Sequence, residues 1–129
     1  MSWHPLDLVT WLWAFALTQA IECPIYLFAL RRKKSSLAFK LGAAFGPTAL
    51  THPIAWWVFA PWLIENHFHI GPWFSGYYPS VTVTAGVAAL VEWAYLAQLN
   101  VRRPWAWALL ANGASFTIVM TIQALYNWP

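Results

Sequence analysis

Glu22, His52, Glu92 and Asn112 are the residues of this chain best suited to chemistry, and each is set in a run of apolar neighbours. Two carboxylates and an imidazole at one depth can share a proton or hold a cation. An ionisable group in hydrocarbon is expensive, so it normally faces a partner or a water-filled cavity and marks a functional site. Gln19, Thr51 and Ser115 add hydrogen-bonding capacity nearby, which gives a predicted central polar site of Glu22, His52, Glu92, Asn112, Thr51, Ser115 and Gln19. Two glutamates and a histidine also suit several transition metals, so Glu22, His52 and Glu92 are the candidate metal ligands. The Glu-x-x-His spacing of di-iron bundles is absent, however. Nucleophilic catalysis would need His52 as base and Cys23 or Ser115 as nucleophile. Neither a His-Glu-x-x-His nor a Gly-x-Ser-x-Gly motif is present. Proton- or cation-linked transport or binding is therefore favoured over an intramembrane enzyme, and the sequence names no cofactor.

The elements that must position these groups are set by composition. The 129 residues are 60% hydrophobic and 9% charged, against about 25% charged in soluble domains. Eleven tryptophans add apolar surface that a soluble core of this size could not bury. Four apolar stretches, 6–30, 41–64, 81–101 and 105–126, are each near or above the roughly 20 residues that cross a bilayer as a helix. The expected fold is all-α: residues 1–129 form one membrane domain, a polytopic bundle of four transmembrane helices. A membrane β-barrel would need alternating segments of about ten residues.

All seven basic residues fall in two places, Arg31-Arg32-Lys33-Lys34 with Lys40, and Arg102-Arg103. Short basic loops stay cytoplasmic, so both termini and the 65–79 loop are expected outside. The partner implied is the lipid bilayer, with no nucleic acid. Trp3, Trp62, Trp73 and Trp128 would form the outer aromatic belt, and Trp105 and Trp107 the inner one. Glu65-x-His67-x-His69, with His4 on the same side, reads as solvated interfacial histidines. Cys23 stands alone and excludes an intrachain disulfide.

Depth and helical phase predict that the polar groups meet. Counting 1.5 Å per residue from the basic loops places Glu22, Glu92, His52 and Asn112 about 12–18 Å deep, near mid-membrane. Thr18, Gln19, Glu22 and Tyr26 share a face of the first helix, and Thr48, Thr51 and His52 a face of the second. Ala85, Ala88 and Ala89 flank Glu92, and Ala108 aligns with Asn112 and Ser115. Small residues beside polar ones dress helix–helix interfaces in lipid. Pro24 and Pro53, close behind Glu22 and His52, are expected to kink their helices. The halves repeat an order of features: Glu22, Arg31-Arg32, Thr48-x-x-Thr51, then Glu92, Arg102-Arg103, Asn112-x-x-Ser115. This is the pattern of two parallel hairpins related by an axis along the membrane normal. Outward of the polar layer, Ile54, Trp56, Trp57, Phe59 and Trp62 predict a closed path. Inward, Gly42, Ala43 and Ala44 predict an open one, so any cavity is expected to face inward.

At Glu22-Cys23-Pro24, Thr51-His52-Pro53, Glu92 and Asn112-Gly113-Ala114-Ser115 the chain resembles small uncharacterised four-helix bacterial membrane proteins. The resemblance implies a bacterial inner membrane location, with basic loops cytoplasmic, and carries no activity. A structural alternative remains beside transport. The polar layer would then fix helix pairing in a homo-oligomer or in an accessory subunit of a larger membrane complex.

Overall fold

Ser36 begins the second helix: its Oγ accepts the Phe39 N–H at 3.2 Å, satisfying a backbone donor that the first helical turn leaves unpaired. The computed structural model describes residues 8–66, 69–70, 74–75 and 77–126. Helix α1 runs over Leu8–Leu30 and α2 over Leu37–Ile54. The chain then passes through a π-helical turn, Ala55–Phe59, into α3, Ala60–Glu65. Two short strands, β1 (His69–Ile70) and β2 (Phe74–Ser75), pair antiparallel. Helices α4, Tyr77–Gln98, and α5, Pro104–Tyr126, complete the chain. Three segments, Leu8–Leu30, Pro79–Gln98 and Pro104–Tyr126, are long and apolar enough to cross a membrane. The fourth helix is the composite of α2, the π turn and α3. It starts before the expected 41–64 stretch, and α4 both starts and ends earlier than the expected 81–101.

Residue chemistry explains the helix ends. Asn100 adopts a left-handed conformation (φ 54°), and the N–H groups of Asn100 and Val101 return to the carbonyls of Ala97 and Leu96. This pairing satisfies the last carbonyls of α4, and Val101 is buried near Leu96 as the motif favours. Pro104 then starts α5 at the position where its missing N–H costs nothing. Pro24 sits inside an unbroken α1, and Pro47 inside α2. Pro53 has a stronger consequence, because the π turn follows it directly. Ala60 donates its N–H to Ala55 five residues back, so the turn is one residue wider than an α turn.

Helix α1 packs on α2 and α5, while α4 packs on α5, α2 and α3. Around the square, α1 lies diagonal to α4, and α2 to α5. At the basic-loop end the interior is solid, filled by Tyr26, Leu30, Ala44, Leu96, Ala108 and Ala111. Gly46 allows α2 to approach α4 closely there, since a Cβ on it would strike the Tyr95 hydroxyl. Large apolar side chains such as Trp13, Phe28, Leu37, Val58 and Leu125 face away from the bundle. Trp62 and Trp105 are also exposed, whereas Trp107 packs edge-on against Phe28, over which the Arg31 guanidinium lies. Trp3, Trp73 and Trp128 lie outside the described residues, as do His4 and His67 of the external histidine group.

Candidate functional site: a buried pair of glutamates

Threonines 48 and 51 stand one helical turn apart on α2, and Asn112 and Ser115 do the same on α5, so each pair presents two polar groups on one face. Glu22 enters from α1 and Glu92 from α4, on the other diagonal. Glu22 accepts hydrogen bonds from Thr48 Oγ1 and Ser115 Oγ, each at 2.5 Å. Glu92 accepts from Thr51 Oγ1 at 2.6 Å, from Asn112 Nδ2 at 2.6 Å, and from the Tyr26 hydroxyl. The two carboxylates are 2% and 1% exposed, so these donors stand in for water. All five donors are uncharged hydroxyls or an amide. No basic side chain stands in this shell, so two ionised carboxylates together would need a proton or a cation to offset them.

The bonding follows the correspondence between the two hairpins. Glu22 matches Glu92, Thr48 matches Asn112, and Thr51 matches Ser115. Each glutamate takes the first member of the pair on its own hairpin and the second member of the pair on the other. Tyr26 breaks the pattern. One turn after Glu22, it crosses to Glu92, while the residue one turn after Glu92 is Leu96, which has no polar group to return.

Five of the seven predicted site residues thus meet: Glu22, Glu92, Thr51, Asn112 and Ser115. Gln19 does not join them; its Nε2 donates to the Phe45 carbonyl at 3.1 Å and ties α1 to α2. His52 also stands outside the network. One residue beyond Thr51, it is turned by about 100° around α2. Its ring lies among Trp11, Phe15 and Trp56, with centroids 5.4–6.0 Å away, and its buried Nδ1 has no partner. The expected metal set is therefore not assembled: among the described residues no three His, Cys, Asp or Glu side chains form a metal-binding group. A nucleophile–base pair is not assembled either, since His52 bonds neither Cys23 nor Ser115, and Ser115 is engaged with Glu22.

Tyr26 and Thr48 are participants that sequence reasoning did not count. Both lay on faces already recognised as polar, and spacing of one turn from Glu22 and from Thr51 was the available signal. Tyr26→Phe removes one of three donors to Glu92 and leaves the ring packing intact. It is expected to cost about 1–2 kcal/mol, read from unfolding in bicelles. No loss at all would show that Thr51 and Asn112 suffice.

A cavity of about 150 Å³ adjoins the glutamates. It is reached from Glu22, Glu92 and Asn112 and extends past Thr84, Met120 and Ala60 to Val81 and Gln123, at the end away from the basic loops. This reverses the expected inward opening. The alanines at the basic-loop end are packed shut against Tyr26, Leu30 and Leu96. Of the tryptophans expected to close the other end, Trp56 lines the cavity wall and the other two stand away from it. Trp62 points out of the bundle at 56% exposed and Trp57 packs against Trp11, while Ala55 and Ala60 present their small side chains to the cavity. The wide π turn resets the helical phase between these residues. The chain matches no protein-family model, no curated protein and no solved structure.

Proposed function

We propose that this is an integral membrane protein in which Glu22 and Glu92 bind a proton or small cation, as the site of proton- or cation-linked transport. The observation that carries the reading is the buried acid pair: two carboxyl groups 2% and 1% exposed, a shell of neutral donors, and a cavity touching both. Buried ionisable groups of this kind line ion and proton pathways in membrane bundles. Access from one end, with a solid plug at the other, matches one state of an alternating-access cycle. The plug side carries the basic loops and so is the cytoplasmic side by the distribution of Lys and Arg. The pseudo-symmetric donor set supports the transport reading further, because a cation can pass between the two carboxylates without either losing all of its hydrogen bonds.

The test is reconstitution into liposomes containing a pH-sensitive dye, with proton and alkali-cation gradients imposed in turn. Wild-type protein is expected to dissipate at least one gradient. Glu22→Gln combined with Glu92→Gln is expected to reduce the flux to that of protein-free liposomes. Equal flux from wild type and double variant would overturn the assignment.

A further inference from the structure

A second cavity, apolar and about 90 Å³, lies against the first between α2 and α4. Leu50, Ile54, Val87 and Val91 form its rim, and all four face outward from the bundle. Thr51, Ala55, Thr84 and Ala88 wall both cavities. A single layer of two threonines and two alanines therefore separates the glutamate cavity from the outer surface of the helices. The two threonine hydroxyls are turned to other tasks, Thr51 to Glu92 and Thr84 to the Ser80 carbonyl at 2.7 Å. The groove consequently stays apolar up to the edge of the charged site. On the α1 side the same cavity is backed by thick aromatic packing, His52 and Trp56 with Trp11 and Phe15 behind them.

We infer that the α2–α4 groove admits a single-chain alkylammonium from the bilayer, with the ammonium at Glu22 and Glu92 and the hydrocarbon chain along Leu50, Ile54, Val87 and Val91. The inference rests on the proposed cation site and names its ligand class. Charge selects the head: two carboxylates without a cationic partner favour an ammonium over an anionic or neutral lipid. An ammonium also brings three donors to two acceptor groups, and Trp56 in the wall offers an aromatic ring to a cation. The groove selects the tail, because a short hydrophilic cation would leave its apolar rim unused. The shared wall, made of two alanines and two threonines, carries no bulky residue between groove and glutamates.

Binding to the full chain in nanodiscs of zwitterionic lipid provides the test, with dodecylammonium, propylammonium and dodecanol as probes and empty nanodiscs subtracting partition into lipid. Dodecylammonium is expected to bind saturably and at least about tenfold more tightly than propylammonium, and dodecanol not to bind saturably. Val91→Ala trims a residue that lines the groove and not the glutamate cavity, and should weaken dodecylammonium while leaving propylammonium, which reaches the glutamates from the open end, unchanged. Ile54→Ala removes groove wall without adding bulk to the interior and should likewise weaken only the long amine. Equal affinities for the two amines, saturable binding of dodecanol, or equal losses for both amines in these variants would overturn the inference. If Glu22→Gln with Glu92→Gln leaves both amines bound, the cation site itself fails. If that double variant abolishes propylammonium binding while dodecylammonium never binds better, only the groove fails.

Discussion

Glu92→Ala is expected to destabilise the bundle by about 3–5 kcal/mol, and Glu92→Gln by only about 1 kcal/mol. The contrast comes from what surrounds the carboxyl group. Alanine leaves a void at the centre of four helices and strands three donors at once, from Tyr26, Thr51 and Asn112. In hydrocarbon those donors have little water to turn to. Glutamine keeps the volume and one acceptor oxygen. The Tyr26 and Thr51 hydroxyls can reverse to accept its new N–H, and the Asn112 side chain can present its carbonyl instead. Denaturant unfolding in bicelles, followed by helical circular dichroism, separates the two variants. Equal stability of Glu92→Ala and Glu92→Gln would show that the network does not hold the helices together. Because Glu92→Gln keeps the fold, it also allows loss of cation binding to be read apart from loss of structure.

Leu96→Ala is the second change with a large expected effect, and it acts on access as well as stability. Leu96 is wholly buried beside Tyr26 and Leu30 in the plug between the glutamates and the basic loops. Truncating a leucine in such packing costs about 2–5 kcal/mol, more where the site cannot collapse. Here the opposing residues are helix-backbone neighbours such as Ala44, Ala108 and Ala111, which have no length with which to refill the space. The plug should therefore become leaky. A cysteine at Phe116, a cavity-lining position, reports this when placed in a Cys23→Ser background. A membrane-impermeant thiol reagent applied from the basic-loop side should not react with it in the parent and should react once Leu96→Ala is added. Labelling from that side in the parent would mean that the plug is not a seal.

The glutamates were legible because their chemistry is out of place: a carboxylate amid leucine and alanine stands out without any knowledge of the fold. Their partners were legible in part, since Thr48, Thr51, Asn112 and Ser115 fall at helical spacing on faces lined with small residues. His52 lines the cavity beside the glutamates but stays out of their hydrogen-bond network for a reason of angle. It follows Thr51 in sequence and shares its depth, but adjacent residues on a helix differ by about 100°, and the face that meets the glutamates belongs to Thr48 and Thr51. The direction of the cavity was not legible at all. The closed and open ends were read from bulk alone, Ile54, Trp56, Trp57, Phe59 and Trp62 against Gly42, Ala43 and Ala44, and bulk does not say which way a side chain points. The π turn after Pro53 takes up one extra residue and so changes which of these residues face the interior. Proline signals a disturbance in a helix, but its sequence does not say whether the α-helix will run on past it, as α1 does past Pro24, or widen, as after Pro53.

The crossed bonding of the glutamates bears on how such a chain is made. Neither hairpin can satisfy its own acid. When the first hairpin has left the ribosome, Glu22 has Thr48 within reach but no Ser115, and after the second hairpin inserts, Glu92 has Asn112 but depends on Thr51 and Tyr26 from the first. Each half alone would hold an under-satisfied acid against lipid, a costly species. On the membrane reading proposed above, assembly would be a joining reaction in which both halves are relieved by one association. On the same reading, the acids proposed as the site would also favour the correctly paired bundle, since half-made or mispaired molecules would keep their polar groups unsatisfied.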